Sequence, residues 1–314
     1  MMYIDFFFSL LFFFIFILMS VAFVTLFERK ILGYINIRKG PTKVGVYGLG
    51  QPFSDALKLF FKEGVFPFLM INLPFFLTPF LMFIFSLLCW LIFPVYFYFF
   101  DFFFAFIFFL CITGFGVYIL VFMGWSSNSK YSLFGSYRGI AQTISYEVSL
   151  ALVILSFVIL VGNFGVSDYF YMQKYMWFFF LMLPLFGVWF VSSLAELNRT
   201  PFDFAESESE LVSGFNIEYG SFYFAFIFIG EYSMILFSSF FIGFLFFGGM
   251  NFLYIMKTLL FLFFIILIRG TLPRFRYDNL MYLAWKSFLP LSLGYLLFFL
   301  GFKIFIFVMF LWFF

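Results

Sequence analysis

Charge-free apolar runs alternate with short polar clusters along this 314-residue chain, and the runs are of membrane-crossing length. About 20 apolar residues in a helix cover the roughly 30 Å of a bilayer's hydrocarbon. Phe6 to Phe27 is the first such run, giving an expected span over about 6–27. Gly64 to Phe100 exceeds one crossing, and Pro74 suits a first helical position, so the second span is expected at about 74–93. Further spans are expected at about 102–125, 175–195, 251–268 and 287–312. Two more fit only with a glutamate inside. The 14 residues between Glu147 and Gly162 make about 21 Å of helix, too short to cross. Starting near Gly139 gives a span over 139–161 and sets Glu147 roughly 12 Å in. Likewise Tyr219–Gly230 and Tyr232–Phe247 each fall short, and joined they form one span, 219–247, with Glu231 near its middle.

The pattern predicts an all-α integral membrane protein: a single polytopic domain over 1–314 with eight transmembrane helices, an amphipathic interfacial helix and long loops on one face. Lysine and arginine test the topology. Loop 28–64 carries seven, loop 126–146 two, loop 196–217 one and loop 269–286 four, all on one side. The opposite side has Lys174, Lys257 and Lys303, the last expected to snorkel outwards from the final span. The bias puts these four loops on the cytoplasmic or matrix side and both termini on the other.

Composition agrees. Hydrophobic residues make up 66% and charged residues 10%, against about 25% charged in a soluble domain. With no histidine, bis-His haem, Rieske-type clusters and histidine-built metal sites are excluded. Two cysteines, Cys89 and Cys111, are too few for an iron–sulfur cluster. No basic n-region precedes the first apolar run, so no signal peptide is expected. Phenylalanine at 67 positions suggests a strongly biased genome, as in an organelle.

The loops carry the chemistry. Gly45 to Gly50 resembles a phosphate cradle only superficially, since no strand precedes it and no GK[ST] follows; a tight surface connection is expected. Residues 52–63 put Phe53, Ala56, Leu57 and Phe60 on one helical face, with Ser54, Asp55, Lys58 and Lys62 opposite. Such a helix lies at the membrane surface, either as a simple anchor or as a doorway for a lipid-soluble ligand. The acidic loop 196–217 reads as a helix start: Thr200 as N-cap, Pro201 at the first position, Asp203 completing a capping-box-like pair. Asp203, Glu206 and Glu210 would share one face with Glu208 pointing away, following Glu196, and only Arg199 is nearby in sequence. Carboxylates at membrane depth, such as Glu147 and Glu231, cost roughly 2.5–3.5 kcal/mol to insert and default to a functional role. A satisfied polar contact between helices is the plainer alternative.

Four segments together carry a likeness: ERKILGYINIRKGPTKVGVYGLGQPFSDALKLFFKE (28–63), AQTISYEVSLA (141–151), AELNRTPFDFAESESELVSGFNIEY (195–219) and RFRYDNLMYLAWKSFLPL (274–291). They closely resemble the subunit 1 family of mitochondrial respiratory complex I, the proton-pumping NADH:ubiquinone oxidoreductase. Lys303 and the stretch GVFP after Glu63 depart from what the family leads one to expect.

The resemblance implies a multi-pass protein of the mitochondrial inner membrane with its termini on the intermembrane-space side and its long loops on the matrix side. It further implies a subunit that forms most of the ubiquinone access chamber and links it to proton translocation. By motif position Arg29 and Asp55 would line the chamber, joined by Phe228 and Arg199. Glu147, Glu196, Asp203, Glu206, Glu208, Glu210 and Glu231 would form the acidic path. Ubiquinone would be the substrate, while NADH, flavin and iron–sulfur clusters would belong to partner subunits: hydrophilic quinone-module subunits on the matrix side and small membrane subunits laterally. Membrane lipids would surround the chain, with no nucleic-acid partner. The chain itself would hold no catalytic centre and no metal. Two alternatives stand beside this. One is a membrane anchor of a related hydrogenase-type complex; the other is an independent transporter, disfavoured because no repeated Gly/Pro interruption relates the two halves.

Overall fold

The computed structural model describes residues 2–64, 66–93, 102–174, 176–205, 207–212, 214–216, 218–248 and 252–313. Among these there are helices and no strands. In order they are α1 (Met2–Ile35), α2 (Gln51–Phe61), α3 (Asn72–Trp90), α4 (Ala105–Ser126), α5 (Lys130–Val161), α6 (Val166–Met172), α7 (Phe178–Leu181), α8 (Leu183–Glu196), α9 (Glu208–Leu211), α10 (Ser221–Phe247), α11 (Phe252–Thr271), α12 (Tyr277–Tyr282) and α13 (Leu289–Phe313). Among the described residues seven helical stretches are long and apolar enough to cross a membrane, and α8 is a shorter apolar helix. The protein is an all-α, multi-pass membrane protein.

Several boundaries differ from the hydropathy reading, each for a physical reason. Helix α1 runs past Phe27 to Ile35. Among its buried residues Ile17, Val21, Val24, Glu28 and Ile31 repeat at steps of four and three, so the inward stripe carries on through Glu28. Helix α5 starts at Lys130, nine residues before Gly139, because Ser129 caps it by accepting from the Ser132 N–H at 3.4 Å. It ends at Gly162, whose φ of 89° suits a glycine and lets its N–H reach Val158 O at 2.7 Å. The expected span 175–195 is broken at Met182: Pro184 sits in the first turn of α8 and lacks the N–H that would continue α7. At the far end Tyr277 begins a helix that continues through a π-helical stretch, Leu283–Phe288, into α13, so little of 269–286 is loop.

In lipid, burying apolar surface between helices gains little, so close packing has to hold the bundle. Phenylalanine supplies it through ring geometry. Phe241 alone meets Phe109 at 4.6 Å, Phe237 at 5.4 Å and Trp189 at 5.7 Å between centroids, the tilted and offset arrangements that aromatic quadrupoles favour. Where α3 crosses α10 the space is tighter still. A Cβ on Gly230 would sit 3.0 Å from Met82 Cγ and 3.4 Å from its carbonyl oxygen, which leaves glycine as the residue that fits beside Glu231.

The loops gather at one end of the bundle. The Ile71 N–H donates to Ser126 O at 2.9 Å, Asn128 Nδ2 to Leu69 O at 3.2 Å, and the Phe275 N–H to Pro201 O at 3.0 Å. At the other end the bonds run to helix C-termini. Gln173 Nε2 donates to Leu245 O at 2.9 Å, Lys257 Nζ to Phe247 O at 3.0 Å and Lys303 Nζ to Ile159 O at 2.7 Å.

Candidate functional site

Three glutamates meet inside the bundle near its loop end. Glu147 comes from α5, Glu196 is the last residue of α8, and Glu231 lies within α10 beside the close α3 crossing. All three line one cavity, with Arg199 at its edge and apolar walls from Phe85, Ile112, Val117 and Leu120. Its water-accessible core is about 90 Å³, well above the roughly 15 Å³ that one water centre needs. Glu147 and Glu196 are close enough to repel one another. Among the described residues neither has an ion-pair partner. Such carboxylates can take up, hold and release protons.

The chamber candidates fall on either side of the loop end of α1. Arg29 bonds Asp55 at 2.5 Å, and Gln51 Nε2 donates to the other Asp55 oxygen at 3.0 Å, so α2 is tied to α1 by a shared carboxylate. Phe23 and Phe53 meet edge to face along the same seam. On the opposite flank the Arg199 guanidinium lies 4.7 Å above the Tyr232 ring, and Phe228 stacks near Tyr232 at 6.2 Å. Phe228 and Arg199 are thus neighbours around one tyrosine, while Arg29 and Asp55 form a separate pair.

Between them stands Glu28, which the sequence reading left as the first residue of a loop. It is 4% exposed. Its Oε1 accepts from Arg199 at 3.2 Å and also from Arg269 at the end of α11, with the Tyr232 hydroxyl in the same bonded group. Burial alone would weaken Arg199 as a base; Glu28, with Tyr232 and Glu231, reverses this and holds the guanidinium above the ordinary arginine range. The signal that would have found Glu28 is its place on the inward stripe of α1. Nothing local in sequence marks Arg269 as its partner.

The acidic loop departs most from expectation. No helix begins at Thr200; among the described residues after it in the loop, α-helix appears at Glu208–Leu211 and a 3-10 turn at Gly214–Asn216, and the Thr200–Pro201 peptide is cis. Instead of capping, the Thr200 hydroxyl donates to Arg269 O at 3.4 Å. Phe202 and Phe204 are both buried, and Gln142 Nε2 donates to Ala195 O and Phe202 O, each at 2.7 Å. These tertiary contacts override the local capping preference. Asp203 therefore does not share a helical face with Glu210. It meets Arg274 at 3.1 Å in a largely buried pair, whereas Glu210 meets Arg138 at 2.6 Å in an exposed one. Three arginines, not Arg199 alone, attend this loop. Glu206 lies outside the described residues, as does the side chain of Glu208. The loop packs onto α5 where α5 has glycine: a Cβ on Gly135 would lie 2.9 Å from Ala205 O and 3.0 Å from Gly214 Cα.

Comparison with known proteins fits this arrangement. A profile of the NADH dehydrogenase family matches residues 8–300. The NADH-ubiquinone oxidoreductase chain 1 of Aedes aegypti is 56% identical over 292 residues, covering 92% of this chain and 93% of that protein. Its counterpart in Anopheles gambiae is 55% identical over 291 residues, 92% and 93% of the two chains. That of Locusta migratoria is 54% identical over 290 residues, 92% of each. With most of its length matched both by the family profile and by relatives this similar, the chain belongs to the NADH dehydrogenase family.

Proposed function

We propose that this chain is the membrane subunit of a mitochondrial inner-membrane NADH:ubiquinone oxidoreductase that forms the ubiquinone access chamber and couples quinone reduction to proton translocation. The observation that carries the reading is the cavity shared by Glu147, Glu196, Glu231 and Arg199 at the foot of the acidic loop. A carboxylate-lined cavity inside apolar walls senses any charge created beside it, because the poorly screened interior keeps electrostatic effects strong.

Ubiquinone enters along α2, whose apolar face lies on the membrane, and passes the Arg29–Asp55 pair towards Arg199 and Phe228. Its reduction consumes two electrons and two protons. The electrons come from partner subunits that hold NADH, flavin and iron–sulfur clusters; this chain supplies no redox centre and no nucleophile. The protons and the compensating charge shift are the business of the carboxylates. Asp203, Glu206, Glu208 and Glu210 extend the acidic path through the loop, Glu196 receives it at the cavity rim, and Glu147 and Glu231 pass it towards lateral membrane partners. Hydrophilic partners seat on the loop face, where Ile37, Val46 and Tyr47 stand 96%, 72% and 74% exposed, apolar surface of the kind that marks an interface. The lysine and arginine bias supports an orientation with that face in the matrix and the termini on the intermembrane-space side.

The test is Glu147→Gln and Glu196→Gln in the assembled complex, with quinone reduction and proton translocation measured together. Each is expected to lower protons moved per NADH at least twofold. Full quinone reduction with full translocation in both variants overturns the coupling role.

A further inference from the structure

Arg199 faces two ways. It lines the carboxylate cavity, yet its direct contacts are Glu28 at 3.2 Å and the Tyr232 ring at 4.7 Å, and among the described residues it forms no ion pair with Glu147 or Glu196. A guanidinium next to several carboxylates in a poorly hydrated setting would ordinarily close on one of them. A contact pair of that kind keeps its carboxylate ionised and takes it out of proton exchange.

We infer that Glu28 is a positioning residue for the coupling proposed above: it tethers Arg199 so that the guanidinium does not close on Glu147 or Glu196. This inference rests on that functional reading. Three features suit Glu28 to the task. Its backbone belongs to the continuous inward stripe of α1, so the anchor point is fixed, whereas Arg199 sits in the turn after α8, just past Asn198 at φ 49°. It is 4% exposed and shares its charge with a second cation, Arg269, whose own side chain is 35% exposed and partly solvated. The tether therefore keeps its charge even if Arg199 shifts. Tyr232 lies beneath the guanidinium, its ring 4.7 Å away, and adds a second contact that holds Arg199 at this position.

The experiment uses the assembled complex, comparing Glu28→Gln, Arg199→Gln and the double variant E28Q/R199Q for quinone KM, kcat and protons translocated per NADH. Glu28→Gln is expected to lower protons per NADH at least twofold, because the released Arg199 pairs with Glu147 or Glu196. Removing Arg199 as well is expected to return the ratio to that of Arg199→Gln alone. A structural role for Glu28 would not produce recovery of a per-turnover ratio on loss of a second side chain. Wild-type coupling in Glu28→Gln, or a double variant no better coupled than Glu28→Gln, overturns the inference. If Glu28→Gln does not assemble, the double variant still decides: it must assemble and match Arg199→Gln, and failure to do so counts against the tether. Glu147→Gln run in parallel separates the two levels. If it too translocates fully, the coupling reading falls; if it is uncoupled while Glu28→Gln is not, the tether alone falls.

Discussion

The two ends of the helix bundle are closed by different chemistry. At the loop end, guanidinium–carboxylate pairs join elements distant in sequence: Glu28 to Arg199 and Arg269, Asp203 to Arg274, Glu210 to Arg138. At the opposite end cations meet backbone. Lys257 donates to Phe247 O at the end of α10 while lying 4.3 Å over the Trp177 ring, and Lys303 donates to Ile159 O near the end of α5. A lysine on a helix C-terminus satisfies carbonyls and complements the helix dipole without needing a carboxylate. Charge at that end ends the helices neatly. Charge at the loop end ties separate elements together, and one of its arginines, Arg199, also lines the carboxylate cavity.

If that contrast is right, substitutions at the two ends will differ in size. Arg274→Leu is expected to have the largest effect, since it removes the guanidinium that meets the largely buried Asp203; removing one member of a buried pair costs about 3–5 kcal/mol. Hydrogen exchange should show backbone amides at 200–211 opening, and quinone reduction in the complex should fall severalfold. Gly135→Val comes next. Its branched side chain meets Ala205 O and Gly214 head on, and overpacking of this kind costs about 1–3 kcal/mol. The same amides should lose protection while α5 itself stays protected.

Lys257→Met is expected to cost about 1 kcal/mol through the lost dipole and ring contacts. It should lower the thermal midpoint of the complex slightly, with quinone KM and proton coupling unchanged. Arg138→Gln is the smallest at the loop end, because exposed pairs are worth about 0–1 kcal/mol. If Arg138→Gln uncoupled the complex as strongly as Arg274→Leu, burial would not be what separates these pairs. If Lys257→Met did so, the division between the two ends would be wrong.

Seven long apolar helices were readable in the sequence because apolar length is a direct physical requirement of the bilayer. Glu147 and Glu231 were readable for the converse reason: a carboxylate inside such a run has a cost that needs an explanation. Glu28, Arg269 and Arg274 were not, because charges at the rim of a span look like ordinary interfacial residues until the fold brings their elements together. The misreading of Thr200 to Asp203 has a different origin. Its capping pattern was locally sound, but buried Phe202 and Phe204 and the Gln142 amide determine the backbone there. The break at Met182 has a visible sign in Pro184, set inside an otherwise continuous apolar run.

Glu28 and Arg29 are consecutive, one turned into the bundle towards two arginines and the other outward to Asp55. Successive residues on a helix lie about 100° apart. Rolling α1 by one residue in one sense would bring Arg29 against Arg199 and Arg269, and in the other sense Glu28 against Asp55, so like charges meet on one flank whichever way it turns. The helix can tilt or slide within the bilayer, but its rotational phase is locked.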